Sequence, residues 1–381
     1  MVFILIFIAA LLVCHAILIE NYRRWFLKIQ PFTSSSAIPP HISFTVIIPA
    51  RNEEDQIEKC LETVLAQNYP DHLYEVIVAD DYSTDNTATI IQQLQKKFSN
   101  LRLLQLGKVL PDKQLNSYKK KAIELAIEMS KGDWIVTTDA DCMVTKNWLQ
   151  NFNNFIEQHD SVFVAAPVKF INTGSFVSIF QCLDFMSLQG ITAASVHHGF
   201  HSMCNGANLA YNKNVFYAVN GFKGIDNIAS GDDMLLMHKI FVRFKKQVYF
   251  LFSQDSIVQT PPMRTWKDFI NQRIRWASKA DKFDDKRILA VLVFIYLFNL
   301  SFIIIPVAVF WYKNLWYYWL AMMVAKTMIE LRFMFPVARF FKEEKLLWWF
   351  PVMQPFHIFY TIIAGWLGKF GKYSWKGRVV K

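Results

Sequence analysis

Three pairs of aspartates carry most of the chemistry open to this 381-residue chain. Asp80 and Asp81 follow Val78-Ala79 at the end of a β-rich run, and Asp139 and Asp141 follow Thr137-Thr138 in a D-x-D triplet. Asp232 and Asp233 follow Ser230-Gly231 where a helical pattern opens. Two carboxylates spaced like Asp139 and Asp141 offer hard oxygen ligands to Mg²⁺ or Mn²⁺, and such an ion favours a diphosphate as its remaining ligand. Open α/β sheets bind ligands beyond the carboxyl ends of their strands, so the first two pairs are expected to face one crevice. A fourth element is Gln272-Arg273-Ile274-Arg275-Trp276. On a helix, Gln272, Arg275 and Trp276 fall on one face at i, i+3 and i+4. A donor, a cation and an aromatic plate together suit sugar and phosphate.

Each element also has a plainer reading. The run from Asp81 to Thr87 has the composition of a turn and a helix N-cap. Acids at a helix start, such as Asp232 and Asp233, are favoured by the dipole alone. The stretch Thr265–Phe283 is amphipathic and basic, with Trp266, Phe269 and Trp276 available to lie at a membrane surface.

The elements that must hold these residues alternate between β-rich and helical patterns, which predicts an α/β sheet. Strands are expected at Phe44–Ile48, Glu75–Ala79, Leu101–Gln105, Trp134–Thr138 and Ser161–Ala166. Helices are expected between them at Glu53–Gln67, Thr87–Phe98, Tyr118–Ser130 and Lys146–Gln158. No internal repeat is evident.

Composition frames this block. The chain is 53% hydrophobic and 16% aromatic with a formal charge of +10, which excludes disorder. Residues 43–286 carry a net −1, while residues 1–42 carry +2 and residues 287–381 carry +9. The basic excess lies outside the central block, so a nucleic-acid partner is not expected. Val2–Ile19 is apolar apart from His15 and is followed by Arg23, Arg24 and Lys28, the pattern of a signal anchor with its C-terminal side in the cytoplasm. A linker, Thr33–Pro40, follows. Ile288–Phe310 reads as a transmembrane helix. Leu315–Phe341 is interrupted by Lys326, Glu330, Arg332 and Arg339, and Leu346–Leu367 contains Pro351, Pro355 and His357. The basic tail beyond them should stay cytoplasmic, which favours an even number of crossings and one interfacial or re-entrant span. The expected domains are an anchor at 1–22, a catalytic domain at 43–262, an amphipathic interfacial helix at 263–286 and a membrane region of two to three helices at 287–381. Five cysteines without CxxC spacing fit a reducing compartment. His197, His198, His201 and Cys204 cluster within eight residues but lack a second ligand pair, so a role near an acceptor channel outweighs zinc.

Taken in order, these residues resemble the family 2 glycosyltransferases of the D,D,D,QxxRW type, which include cellulose, chitin and hyaluronan synthases and ceramide glucosyltransferases. The resemblance runs from about Val46 to Trp276 and opens with Val46-Ile47-Ile48-Pro49-Ala50-Arg51-Asn52-Glu53. It implies a GT-A fold, a Rossmann-like mixed sheet with flanking helices, carried between N-terminal and C-terminal transmembrane helices. It further implies that Pro49, Arg51, Glu53 and Asp80 line a nucleotide-sugar pocket and that Asp81 hydrogen-bonds the base. Lys119–Lys121 fall where the family often has a basic residue near the nucleotide, with Lys120 the central choice. Asp139 and Asp141 would hold Mg²⁺ or Mn²⁺ on the diphosphate, and Asn205 and Gly206 would stand beside the sugar. Asp233 would act as general base with Asp232 beside it, although the family usually has Glu where this chain has Asp232. Gln272, Arg275 and Trp276 would close over the diphosphate and the acceptor.

The implied activity is inverting transfer from a nucleotide sugar, most often a UDP-sugar in this family, to a lipid-linked or saccharide acceptor at a membrane. A cell inner membrane with a cytoplasmic catalytic domain is the expected location. A processive polysaccharide synthase is the alternative, and the small number of expected spans disfavours it.

Overall fold

The computed structural model describes residues 2–33, 38–110, 117–200, 203–228, 230–279, 285–371, 373–375 and 378–380, with no side chains described for 2–5 or beyond 371. The chain opens with α1 (Val2–Leu27), followed by β1 (Phe44–Ala50), α2 (Ile57–Leu65), β2 (Tyr74–Asp80), α3 (Thr87–Gln95), β3 (Leu101–Gln105), α4 (Leu106–Val109) and α5 (Tyr118–Met129). Next come β4 (Trp134–Thr137), α6 (Trp148–Gln158), β5 (Phe163–Ala165), β6 (Val168–Phe170), α7 (Phe176–His198), β7 (Leu209–Asn212), α8 (Lys213–Ala218) and α9 (Met234–Arg243). The last third holds β8 (Val248–Phe250), β9 (Val258–Thr260), α10 (Trp266–Ala277), α11 (Lys286–Ala308), α12 (Leu315–Phe341), α13 (Phe350–Phe370) and a short pair, β10 (Tyr373–Trp375) and β11 (Arg378–Val380).

The chain divides into two compact units. Gln30–Ile171 and Ser195–Pro261 form one; Met1–Ile29, Asn172–Ala194 and Pro262–Lys381 form the other. This grouping interrupts the block expected at 43–262, because residues 172–194 join the terminal segments.

The first unit is built on a seven-stranded mixed sheet in the order β3-β2-β1-β4-β7-β5-β8. Its centre is made of β-branched runs: Val46, Ile47 and Ile48 of β1 and Val76, Ile77 and Val78 of β2 are fully buried. Continuous apolar runs of this kind mark parallel strands covered on both faces. β1 pairs in parallel with β2 on one side and with β4 on the other, so the strand order reverses beside β1. That reversal opens a crevice at the carboxyl ends of β1, β2 and β4. β7 then runs antiparallel to β4, with Leu209 opposite Thr137. β6 and β9 form a separate two-stranded sheet.

The second unit is helical. Four helices among the described residues are long and apolar enough to cross a membrane: Ile6–Leu27, Phe176–His198, Lys286–Ala308 and Glu344–Phe370. The sequence reading anticipated three of them and passed over α7, where Gln181, Asp184 and Gln189 interrupt the apolar run. Two of the charges that marked α12 as irregular, Lys326 and Glu330, are satisfied within the unit. Lys326, only 1% exposed, donates to Glu330 and to Gln354 at 2.7 Å each, and Gln354 donates to Glu330 at 2.6 Å. His15 of α1 meets the same carboxylate at 3.1 Å. Buried ionisable groups are tolerated when so paired. α10 and α13 run side by side: Trp266 stacks on Phe356, Phe269 meets Tyr360, and Gly368 lies against Ala277.

Candidate active site

The loops after β1 and β2 are laced together. Arg51 Nη1 donates to the carbonyls of Asp81 (2.7 Å) and Tyr82 (3.1 Å), and Asp81 N donates to the Ala50 carbonyl at 2.8 Å. Asn52 and Tyr82 both adopt left-handed backbone angles, which turns the two loops toward each other. Thr84 N donates to Asn52 Oδ1 at 2.9 Å, and Glu53 N donates to Thr87 Oγ1 at 2.8 Å. Pro49 stands level with Ala79 at the end of the parallel register. Asp80 and Asp81 are both buried. Burial raises the Asp80 carboxyl above its ordinary value, with hydrogen bonds from Ser83 acting the other way.

Asp139 and Asp141 follow β4 on the other side of β1. The Thr137 hydroxyl donates to the Gly206 carbonyl at 2.7 Å, which ties the stretch 205–208 beside them. Asn205 Oδ1 accepts from Ala207 N at 3.0 Å. Buried Asn208 accepts from Trp148 Nε1 at 2.9 Å and donates to the carbonyls of Pro167 and Ser256, bracing the turn from behind. Cys142 is buried, as is Cys60.

The third pair converges on the same place. Asp233 caps α9: its Oδ1 accepts from Met234 N at 2.7 Å and its Oδ2 from Gly206 N at 3.1 Å. Both oxygens are therefore fixed by backbone donors. A Cβ on Gly206 would stand 3.3 Å from Asp232 Oδ2, so the close approach of this turn to the acids favours glycine. The plainer reading of Asp233 as a helix cap is thus also true.

One cation joins two pairs. Lys119 Nζ lies 2.9 Å from Asp139 Oδ1 and 3.2 Å from Asp232 Oδ2. Burial would lower its pKa, but the carboxylates of Asp139, Asp232 and Asp233 outweigh that and hold it above the ordinary lysine value. Lys120, the central choice from the sequence, turns its ammonium to backbone carbonyls. Its ammonium donates to the carbonyls of Ile225 (2.8 Å), Ile228 (2.6 Å) and Ser230 (2.8 Å), all in the segment that leads to Asp232. Successive helical residues point about 100° apart, so neighbouring lysines serve different ends.

The donor set fits a hard divalent cation. Asp139 and Asp141 offer carboxylate oxygens one residue apart, and the Asp139 side chain is 37% exposed. Among the described residues no group of three or more His, Cys, Asp or Glu side chains is placed to hold a metal alone. Two carboxylates are what an ion of the Mg²⁺ type takes, with substrate phosphates and water completing its shell. His197, His198 and Cys204 form no such group either, and His201 lies outside the described residues.

The remaining motif lies on α10 in the helical unit. Gln272, Arg275 and Trp276 are half-buried there. Between them sits Arg273, which the sequence reading did not single out. It is 4% exposed and forms an ion pair with Asp184 of α7 at 2.6 Å. The signal was available: Asp184 is the one acid in α7, and a carboxylate within an apolar helix requires a partner.

With the geometry described, comparisons place the chain. It matches the family described as "Glycosyl transferase family group 2" over residues 134–366, more than half its length, and "Glycosyl transferase family 2" over 45–216. The chain belongs to the family 2 glycosyltransferases. It is 38% identical over 106 residues to glycosyltransferase AglE of Haloferax volcanii, a stretch covering 28% of this chain and 33% of that protein. It is 31% identical over 132 residues to the poly(ribitol-phosphate) beta-glucosyltransferase of Bacillus spizizenii, covering 34% of this chain and 20% of that one. The matched stretches thus span a third or less of these relatives. Among solved structures, the mannosyltransferase PcManGT from Pyrobaculum calidifontis, in complex with GDP-Man and Mn²⁺, is similar over 95% of this chain and 98% of its own, with a TM-score of 0.57 and 17% identity. The shared fold is the GT-A fold expected from the sequence.

Proposed function

We propose that this chain transfers a sugar, with inversion, from a nucleotide sugar to a lipid-linked or other membrane-associated acceptor. The observation that carries the reading is that Lys119 joins Asp139 to Asp232 at the strand-order reversal beside β1, with Asp80 and Asp81 at the end of β2 on the other side of β1. The laced loops of Pro49, Arg51, Glu53, Asp80 and Asp81 would receive the nucleoside. Asp139 and Asp141 would hold Mg²⁺ or Mn²⁺, which when bound neutralises charge on the departing diphosphate. Lys119 adds a second positive charge at the same place. Asp233, its carboxylate fixed by Met234 N and Gly206 N, takes the proton of the acceptor hydroxyl as that oxygen bonds to the anomeric carbon and the carbon–diphosphate bond breaks. Asp232 is paired with Lys119, which favours Asp233 as the base. One displacement inverts the centre and needs no covalent nucleophile. Gln272, Arg275 and Trp276 would contact diphosphate and acceptor.

A membrane location is supported by the four apolar helices and by exposed aromatic residues at the helix ends: Phe310 is 85%, Trp311 74% and Trp348 87% exposed. Arg23 and Arg24 behind α1 favour a catalytic unit on the cytoplasmic face of a cell inner membrane. UDP is the proposed carrier. The relative named for poly(ribitol-phosphate) supports a cell-envelope glycolipid or polymer acceptor. The test is product analysis with labelled donor and purified protein. Single glycosylation of an extracted lipid is expected, whereas a ladder of long polymer overturns single transfer in favour of a processive synthase.

A further inference from the structure

We propose that Asp184 and Tyr360 are positioning residues for the Gln272 and Trp276 face of α10, acting through Arg273. The proposal rests on the reading that this face meets substrate. Arg273 Nε and Nη2 both donate to Asp184 Oδ2, at 3.0 and 2.6 Å. Its guanidinium carbon stacks 4.1 Å from the Trp276 ring centroid and 4.5 Å from that of Phe269. The remaining arm, Nη1, donates to Gln272 Oε1 at 2.7 Å. A single buried guanidinium therefore touches two of the three motif side chains.

The consequence for Gln272 is chemical. A guanidinium has donors only, so the amide must turn its oxygen to Arg273. The NH₂ group is then directed away from Arg273, as a donor of fixed orientation. Trp276 has one ring face occupied by the guanidinium and Phe185 tilted against it at 5.9 Å. Asp184 in turn is held from a third helix: its Oδ1 accepts from the Tyr360 hydroxyl of α13, with His357 Nε2 3.8 Å away. α7, α10 and α13 thus meet at one carboxylate and one guanidinium. A buried ion pair adds little net stability over a well-packed apolar pair of similar volume. What it supplies here is a guanidinium that cannot rotate, and with it a set orientation of the motif.

The test uses the full chain in lipid nanodiscs, with the donor turned over fastest among UDP-glucose, UDP-N-acetylglucosamine and GDP-mannose. Three variants are compared: Asp184→Leu with Arg273→Met, an apolar pair; Tyr360→Phe, which removes one hydroxyl; and Trp276→Ala. Turnover, donor KM, thermal midpoint and binding of UDP or GDP with Mn²⁺ are measured. The double variant is expected to keep its midpoint and bind nucleoside diphosphate within about threefold, while kcat falls about 10–100-fold, the scale of an ångström of misplacement. Tyr360→Phe is expected to lose about three- to tenfold in kcat with donor KM unchanged. Wild-type kcat in the double variant, with Trp276→Ala inactive, overturns the positioning role and leaves the motif reading standing. Wild-type kcat in Trp276→Ala overturns the motif reading itself. Should the double variant fail to fold, Tyr360→Phe decides: an unchanged kcat overturns the proposal.

Discussion

Replacing Lys120 with methionine separates two lysines that the sequence presents as equals. The substitution keeps most of the apolar stem and removes the ammonium, which donates to the carbonyls of Ile225, Ile228 and Ser230 at 2.6–2.8 Å from a side chain only 2% exposed. A hydrogen bond from a charged donor contributes about 1.5–3 kcal/mol net. Three such bonds on one ammonium share its charge, and the freed segment can move to recruit water, so the simple sum is too large. A loss of about 3–5 kcal/mol is the working figure, the low end of the cost of leaving three partly buried carbonyls without their donor. For a unit of this size that lowers the thermal midpoint by about 10 °C. Because the released segment leads through Gly231 (φ +81°) into Asp232 and Asp233, turnover should fall as well. Thermal unfolding followed by tryptophan emission, with donor turnover measured at 20 °C, checks both effects. A Lys120→Met protein that melts within 2 °C of wild type and keeps full turnover would refute the structural role.

Lys119→Met should behave differently: the fold persists, and kcat falls about 10–100-fold because Asp139 and Asp232 lose their shared cation, as steady-state assay will show. Gly368→Ala places a Cβ 2.7 Å from that of Ala277, between α10 and α13, and should cost about 1–3 kcal/mol, read as a lower melting midpoint. Cys60 and Cys142 are buried, and burial together with Asp141 and Asp139 pushes both thiols above their ordinary range. Thiolate is the reactive form, so mass spectrometry after iodoacetamide at pH 8 should find both unmodified until the protein is unfolded.

The central parallel strands β1 and β2 were legible because their residues are apolar on both faces, and they extend one or two residues beyond the expected ends. The edge strand β3 agrees residue for residue at Leu101–Gln105, although Arg102 and Gln105 interrupt its apolar run. The later strands were not, whether antiparallel like β7 or paired in parallel like β8 with β5 and β9 with β6. β7, β8 and β9 are three or four residues long, too short to show a period, and their pairing is set by tertiary contact. The acidic pairs were visible as spacing; the strand order puts the ends of β2 and β4 on either side of β1, and Lys119 and Gly206 bring Asp232 and Asp233 to the β4 end. The choice between Lys119 and Lys120 was not visible, because three consecutive lysines carry no directional signal until the helix axis is known. α7 was missed for a related reason: its polar residues face partners such as Met263 and Arg273, which a hydropathy reading cannot see.

The most direct measurement is nucleoside diphosphate release from UDP-glucose, UDP-N-acetylglucosamine and GDP-mannose by membranes containing the chain, with Mn²⁺ or Mg²⁺ and with chelator. Release from at least one donor is expected, abolished by chelator and reduced more than about 100-fold by Asp141→Ala or Asp233→Asn while the protein still inserts. Undiminished release in both variants would contradict sugar transfer at these aspartates.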